Sequence, residues 1–464
     1  MANELWRKSA HELAALIRGK QVSSREVVTS HLERIDAVNP RVNAITVTLA
    51  ESALAAADRA DKAEASQSQG AFHGVPFTIK ENIDCTGSAT TNGLPVFANA
   101  MPGADAPVVA RMKAAGGIPL ARTNLPEMGL RITTDNPLRG RTNNPWDITR
   151  TAGGSSGGEG VSLATGMSPI GLGNDIGGSV RNPAYCCGIT SLKPTTGRIP
   201  LVMSIPGAPQ SNAFRLMAVE GALARSVADL NIAYRVLSGW HPQDPYSVPA
   251  ALEGPPVAKK VALVTQMPNS TLPAATVAAI HLAGEQLKAE GWQVEEVVPP
   301  ELARVNEIWA RVLLSDVQNM LPLLTPIMSE SAVGMLQQLL QQFDPAAMNG
   351  TLVYTERDRL AVAWSGFFQQ YPLVIGPTWA DLPFLHDADI DPDTGAETTL
   401  RRLQFITPGN LLGLPAVALP MGVVDGLPTG VQIYADRWRE DLCLSAAGLI
   451  EARVGSITPI DPMF

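Results

Sequence analysis

Two adjacent serines lie in a stretch of sequence that is unusually rich in glycine, and a serine hydroxyl can act as a nucleophile. Residues 151–160 read TAGGSSGGEG, with Ser155 and Ser156 among five glycines. Glycine at this density indicates a backbone that adopts positive φ angles or approaches another group closely. Three interpretations stay open here: a flexible linker, a phosphate-binding loop and a serine nucleophile. The phosphate-binding loop has the least support, because no G-x-x-x-x-G-K-[ST] sequence occurs.

A second turn that contains glycine and serine lies downstream. It reads DIGGSVR over residues 175–181 and follows the apolar run at 170–173, which is typical of a buried strand. Consecutive backbone amides through Gly177 and Gly178 can all face one point, which is the geometry that an oxyanion hole requires. Ser179, at the end of this turn, would lie beside those donors.

A serine nucleophile needs a base that activates it. No histidine occurs between His73 and His241, so the chain must offer another group near these turns. Lys80 ends the apolar run at 75–79, where a buried strand would deliver it into the interior. A buried lysine has a lowered pKa, and its neutral form can act as a general base.

A competing interpretation uses the same serine doublet differently. Ser155 and Ser156 both satisfy G-x-S-x-G, the nucleophile elbow of α/β-hydrolases. That elbow follows a buried strand, whereas residues 143–150 read NNPWDITR, which is polar and contains proline. The catalytic histidine of this alternative would be His281 or His386, neither of which lies in a motif.

Apolar periodicity and turn residues indicate the elements that must position these groups. Ser23 and Glu26 form a capping box ahead of an amphipathic helix. Residues 74–240 alternate short apolar runs with glycine, serine, threonine and proline, as buried strands entering tight turns do. We take this region as the catalytic core. Residues 241–260 contain five prolines and predict a linker.

The second half of the chain predicts more α/β structure with a helical segment inside it. A β-α-β pattern covers residues 261–298, helices cover about 302–370, and strands return after residue 373. We therefore predict a single α/β domain over residues 1–464. Within it, residues 241–400 include the helical insertion at about 302–370.

Composition and charge exclude several functional classes. The net charge is −9 and the isoelectric point is about 5.3, the wrong sign for a nucleic-acid partner. No apolar stretch approaches the roughly 20 residues of a membrane span, and the first residues are charged where a signal peptide is apolar. The four cysteines and six histidines show no metal-binding spacing. We expect a cytoplasmic protein with no metal, no cofactor and no membrane or nucleic-acid partner.

Taken together, these motifs resemble the amidase signature family. The strongest blocks are NNPWD at 143–147, RTAGGSSGG at 150–158, GNDIGGSVRNPA at 173–184 and CGITSLKPT at 187–195. Further blocks are GVPFTIKE at 74–81, TTNG at 90–93, TNLPE at 123–127, ARSVAD at 224–229, NLLGLP at 410–415 and GVQ at 430–432. Residues from about 240 to 400 lack a clear resemblance, and the resemblance implies that residues 241–400 are a variable region that shapes the substrate site.

The resemblance implies the amidase signature fold, a central mixed β-sheet with helices on both faces and a helical insertion. It also implies a Ser-cisSer-Lys triad, with Ser179 as nucleophile, Ser155 as the bridging serine after a cis peptide bond, and Lys80 as base. The spacing of 24 positions from Ser155 to Ser179 is that of the family and selects Ser155 over Ser156. The implied oxyanion hole consists of four backbone amides, those of Ile176, Gly177, Gly178 and Ser179.

The implied activity is hydrolysis of amide C–N bonds through an acyl-enzyme, with carbamates and esters as further substrates of the same machinery. Two other functions stay open: the amidase subunit of a glutamyl-tRNA amidotransferase, and the α/β-hydrolase esterase described above. Residues 199–203, IPLVM, differ from the corresponding stretch of the amidotransferase subunit and favour a stand-alone amidase or urethanase.

Some features of the substrate site are expected from residue type alone. The only partner that we expect is a small-molecule amide, carbamate or ester, and the oligomeric state stays open, a homodimer being one option. Position 174 is Asn, where Thr or Ser is commoner in the family. Candidate substrate-binding residues are apolar or adjacent to the serine doublet: Met128, Gly154, Met203, Trp309, Leu313, Met320 and Trp379.

Overall fold

A computed structural model describes residues 2–63, 70–202, 211–268, 270–343 and 350–464. Within these ranges, 11 strands form one mixed sheet in the order β1-β3-β2-β4-β6-β5-β10-β11-β9-β7-β8. The strands are β1 Ile45–Thr48, β2 Pro76–Lys80, β3 Ile118–Thr123, β4 Ile170–Asp175, β5 Thr190–Lys193, β6 Val219–Ala224, β7 Lys260–Leu263, β8 Gln293–Glu296, β9 Leu373–Pro377, β10 Ala416–Val424 and β11 Leu427–Tyr434. The α/β class and the mixed sheet that the sequence predicts are confirmed.

Helices connect and cover these strands. They are α1 Ala10–Arg18, α2 Ser24–Val42, α3 Ala50–Lys62, α4 Pro107–Ala114, α5 Gly157–Ala164, α6 Arg181–Cys187, α7 Asn212–Met217, α8 Val227–Leu237, α9 Ala274–Ala289, α10 Leu302–Leu324, α11 Glu330–Gln342, α12 Gly350–Gln370, α13 Gly395–Arg402, α14 Thr407–Leu411 and α15 Glu440–Val454. The Ser23 hydroxyl accepts from the Glu26 amide and the Glu26 carboxylate accepts from the Ser23 amide, so α2 begins with the capping box read from the sequence.

The centre of the sheet sets the positions that matter for chemistry. β2 lies parallel to β4, with Thr78 opposite Gly171, and β4 lies antiparallel to β6, with Asn174 opposite Glu220. All residues of β2, β4 and β6 are buried. Polar groups at the ends of these three strands are therefore held in an interior with little water. Among the described helices, none is both long and apolar enough to cross a bilayer.

One buried histidine makes the stability of this fold depend on pH. His31 on α2 is fully buried, and its Nδ1 lies 2.8 Å from the Val27 carbonyl oxygen, to which it donates. Burial lowers its pKa to about 4, whereas the ordinary value is 6.5. The unfolded chain therefore binds a proton more readily than the folded protein once the pH falls below about 6.5.

We predict that the free energy of unfolding falls as the pH is lowered from about 6.5 to 4. His31→Gln should remove up to about 3 kcal/mol of that loss, because glutamine cannot take up the proton. Urea unfolding at several pH values measures the effect, with the exposed His281→Gln as control. An equally steep loss in His31→Gln and in the wild type would contradict the assignment.

Candidate active site

Three segments of the chain converge at the carboxyl ends of two central strands. β2 ends at Lys80, and β4 ends at Asp175, just before the turn that carries Ser179. Because the two strands are parallel neighbours, these ends lie at the same edge of the sheet, where open α/β sheets bind ligands. The loop that precedes α5 brings Ser155 to the same edge, and both serines line one pocket.

Lys80 contacts Ser155 directly. Its Nζ lies 2.6 Å from Ser155 Oγ and 2.8 Å from Asn174 Oδ1, and the side chain is fully buried. Desolvation lowers the pKa of Lys80 to about 7, against the opposing pull of Glu220, Asp175 and Glu159. A lysine with this pKa is substantially neutral near pH 7 and can accept a proton from the serine that it contacts.

The glycine-rich loop holds the two serines in register. The peptide bond between Gly154 and Ser155 is cis. The Ser156 amide donates to the Ser179 carbonyl oxygen at 3.1 Å, which ties this loop to the second turn. The Thr134 hydroxyl donates to the Gly153 carbonyl at 2.9 Å and accepts from the Gly157 amide at 3.0 Å, so it spans the loop from both sides.

An ion pair shapes the turn that carries Ser179. Both side chains of the pair, Asp175 and Arg181, are fully buried, and their two hydrogen bonds are each 3.0 Å long. Burial alone would raise the pKa of Asp175, but the Arg181 guanidinium outweighs it and holds that pKa well below its usual range. Arg181 also donates to four acceptors in the C-terminal half of the chain: Ile406 O, Gln432 Oε1, Tyr434 Oη and Asn410 Oδ1.

The amides of the turn are not equivalent. The Gly178 amide donates to Asp175 Oδ1 at 2.8 Å, so it faces that carboxylate and not the pocket. Of the four amides expected to form an oxyanion hole, those of Ile176, Gly177 and Ser179 stay candidates. Packing explains the two glycines: a Cβ on Gly177 would lie 2.6 Å from Trp309 Cζ2, and one on Gly178 would lie 2.6 Å from Ile406 Cδ1.

Two pockets open on Ser179, and both have mostly apolar walls. The first pocket takes its apolar wall from the segment after β3, α7 and one side of α10: Met128, Leu130, Phe214, Leu313, Val317, Met320 and Leu324. The second pocket lies against the other side of α10, α11 and α13: Ile132, Trp309, Ala310, Leu314, Met335, Leu339, Leu400 and Leu403. A group bound at Ser179 therefore has apolar surface available in two directions.

The structure brings some of the predicted substrate residues to these pockets and leaves others away. Met128, Trp309, Leu313 and Met320 are lining residues, whereas Gly154 lines neither pocket and is packed against the backbone of residues 131–133. Trp379 lines neither pocket and belongs to the core, because it is fully buried and its ring stacks on Phe384. Met203 lies outside the described residues.

Three residues around Lys80 were missed as site residues in the sequence. Glu159 accepts hydrogen bonds from the Thr78 and Thr123 hydroxyls at 2.6 and 2.8 Å, and burial raises its pKa to about 8. In the sequence, Asn174 stands out only as a departure from the family pattern. Glu220 carried one usable signal, because it is a single acidic residue in a short strand that is otherwise apolar.

The histidines of the esterase alternative lie elsewhere. The ring of His386 lies 2.9 Å through Nε2 from the Ile148 carbonyl oxygen, and His281 has a half-exposed side chain 3.9 Å from Glu296. Neither lines a pocket with Ser155 or Ser179. The arrangement that an α/β-hydrolase elbow requires is therefore not formed by these residues.

Comparison with known proteins agrees with this geometry. Residues 26–444 match the Amidase family. The chain belongs to this family. It is 40% identical to an indoleacetamide hydrolase of Bradyrhizobium diazoefficiens over 97% of this chain and 87% of the relative. It is 32% identical to an acylamidase of Rhodococcus erythropolis over 96% of this chain and 95% of the relative.

The fold assignment follows from a solved structure. That of 6-aminohexanoate cyclic dimer hydrolase superposes with a TM-score of 0.84 at 29% identity, covering 99% of both chains. The protein is thus an amidase signature enzyme, a hydrolase that acts on C–N bonds of amides. This assignment replaces the α/β-hydrolase esterase alternative.

We predict that the contact between the turn and α10 limits what position 177 can hold. Gly177→Ala keeps the backbone amide but should lower kcat roughly 100-fold, because the new Cβ would lie 2.6 Å from Trp309 Cζ2 and displace the turn that carries Ser179. In a Trp309→Leu background the same change should cost much less, and steady-state kinetics of the four variants measure the coupling. Equal losses in both backgrounds would contradict this steric account.

Proposed function

We propose that the enzyme hydrolyses apolar amides through an acyl-enzyme on Ser179, with Ser155 as proton relay and Lys80 as base. The observation that carries the proposal is the 2.6 Å contact between Lys80 Nζ and Ser155 Oγ in a dry interior. In that setting the lysine pKa of about 7 provides a substantial fraction of neutral amine near pH 7.

The proposed reaction forms and then hydrolyses an acyl-enzyme on Ser179. Lys80 takes a proton from Ser155 Oγ as Ser155 takes one from Ser179 Oγ, and the Ser179 oxygen bonds to the substrate carbonyl carbon. The amides of Ile176, Gly177 and Ser179 stabilise the resulting oxyanion. The C–N bond then breaks, and the relay returns the proton to the departing amine. Water attacks the acyl-enzyme by the reverse sequence and releases the acid, so that amide and water become acid and amine.

The pocket walls support a particular class of substrate. Apolar side chains of α10 contribute to both pockets that meet at Ser179, which suits an alkyl or aryl group on each side of the scissile bond. The one cationic side chain among the described lining residues, Arg131, is paired with Asp389 at 3.0 Å. The pocket thus offers no unpaired cation for a carboxylate substrate, so we expect aryl or alkyl amides, carbamates and esters to be turned over in preference to glutamine.

We predict a specific order of loss in the serine variants, assayed on an apolar anilide and the matched ester and carbamate. Ser179→Ala should have no measurable turnover, and Ser155→Ala should lose several orders of magnitude because the relay is cut. Ser156→Ala is the matched control and should lose at most about tenfold, since its amide and not its hydroxyl ties the loops together.

Two outcomes would overturn this proposal. A fluorophosphonate probe that labels the peptide holding Ser155 and Ser156, with Ser179 untouched, would contradict the choice of nucleophile. Turnover of glutamine in preference to every apolar amide, increased by added partner subunits, would indicate the amidotransferase function.

We also predict a rate that rises with pH. Only the neutral form of Lys80 accepts a proton, so kcat/KM should increase through about pH 7 and level off above it. Lys80→Ala should lose this limb and most of kcat, as measured on a neutral amide between pH 5 and 9. A Lys80→Ala enzyme with near wild-type activity would show that another group is the base.

A further inference from the structure

A buried acidic residue lies next to the lysine and takes no part in the steps above. Glu220 lies in β6 and is 1% exposed, and the side-chain amide of Asn174 is the donor that acts on its carboxyl, which otherwise has no close hydrogen-bond partner among the described residues. The other five residues of the strand are apolar. Burial of an acidic group with few hydrogen bonds is costly, so a side chain of this kind calls for a functional explanation.

The register of the sheet places Glu220 beside Asn174, the residue that accepts a hydrogen bond from Lys80. Glu220 is paired across the strands with Asn174, and Asn174 Oδ1 is the second acceptor of Lys80 Nζ, at 2.8 Å. Asn174 is in turn fixed by Asn82, with hydrogen bonds of 3.0 and 3.3 Å. The chain of neighbours from Glu220 through Asn174 to Lys80 is therefore short and held in place.

The other charges around Lys80 are already engaged. Asp175 of β4 is paired with Arg181. The charge of Lys193 on β5, the strand beside β6, also lowers the pKa of Asp175. Glu159 of α5 accepts from two threonine hydroxyls. The charge of Lys80 lowers the pKa of Glu220 in β6, and the charge of Asp84, in the segment after β2, raises it. Of the three carboxyls that act on Lys80, Glu220 has the largest effect, and it has neither an ion pair of its own nor a hydroxyl donor among the described residues.

We propose that Glu220 is a positioning residue for the base: its carboxyl, held behind Asn174, balances the positive charge that Lys80 acquires when it takes the proton. Glu220 exchanges no proton with substrate and contacts neither serine. A new cation in a dry interior is costly, and a nearby carboxylate offsets part of that cost. The inference rests on the proposed role of Lys80 as base.

A charge-balancing role predicts a direction for the shift of the pH profile, which a purely structural role would not produce. Burial raises the pKa of Glu220 and the charge of a protonated Lys80 opposes that rise, so the carboxylate of Glu220 and the protonated form of Lys80 favour each other. Without the carboxyl, Lys80 keeps its neutral form down to lower pH but becomes a weaker base. The acid limb should therefore move to lower pH while the plateau rate falls.

The test is the pH profile of Glu220→Gln on a neutral amide substrate. We expect the limb of kcat to move down by about one pH unit, the plateau to fall roughly threefold to tenfold, and KM to stay unchanged. Glu220→Asp keeps the charge and should lie between the wild type and Glu220→Gln. It also serves as the second variant if Glu220→Gln does not fold.

The matched control is Glu451→Gln, which removes a buried carboxyl from α15. Burial raises the pKa of Glu451 to about 7, and Lys80 is not among the groups that act on it. Its pH profile should superimpose on that of the wild type. A Glu220→Gln profile that does not move, or an equal shift in Glu451→Gln, would overturn the proposal. These outcomes differ from failure of the proposed function, which would show as an active Lys80→Ala enzyme.

Discussion

The burial of one lysine amine is the constraint on which the rest of the site depends. Lys80 ends a strand whose residues are all buried, and the lost hydration lowers its pKa to about 7. A solvated lysine would stay protonated and could not accept a proton from Ser155, which it contacts at 2.6 Å. The position of β2 between two other strands is therefore a chemical requirement as well as a packing one.

A dry site imposes order on the charges around it. An ionised carboxylate near Lys80 favours the charged form of the amine, so the partners of each nearby acid affect the protonation state of the lysine. Asp175 is engaged by Arg181, and Glu159 is held by two threonine hydroxyls. The Asp175–Arg181 pair also holds the fold together here, because Arg181 connects the turn that carries Ser179 to residues 406–434. One buried pair thus links charge balance to the shape of the turn.

The helix α10 connects catalysis to substrate recognition. Trp309 donates from Nε1 to the Ile176 carbonyl at 2.9 Å, packs against Gly177 and lines the second pocket. Leu313, one turn further along the helix, lines both pockets. A change of substrate preference through α10 would therefore also disturb the oxyanion turn, because the same side chains support both.

The sequence by itself determined the class of fold and the groups that could react. Apolar runs and turn residues located β7 and α9 within a residue or two, and the glycine-serine blocks pointed to Ser155, Ser179 and Lys80 because local motifs carry backbone geometry. The order of the strands was not predictable, since β6 lies between β4 and β5 and pairs residues that are far apart in sequence.

Only the tertiary structure decided which residues face the pockets. Trp309 and Trp379 are the same residue type in the same variable region, yet Trp309 lines a pocket and Trp379 lies in the core. Likewise, the Gly178 amide faces Asp175 and not the pocket, and Glu220 lies behind Asn174. These outcomes depend on contacts between distant segments, which set direction and dielectric environment, and neither property is encoded in local residue type or spacing.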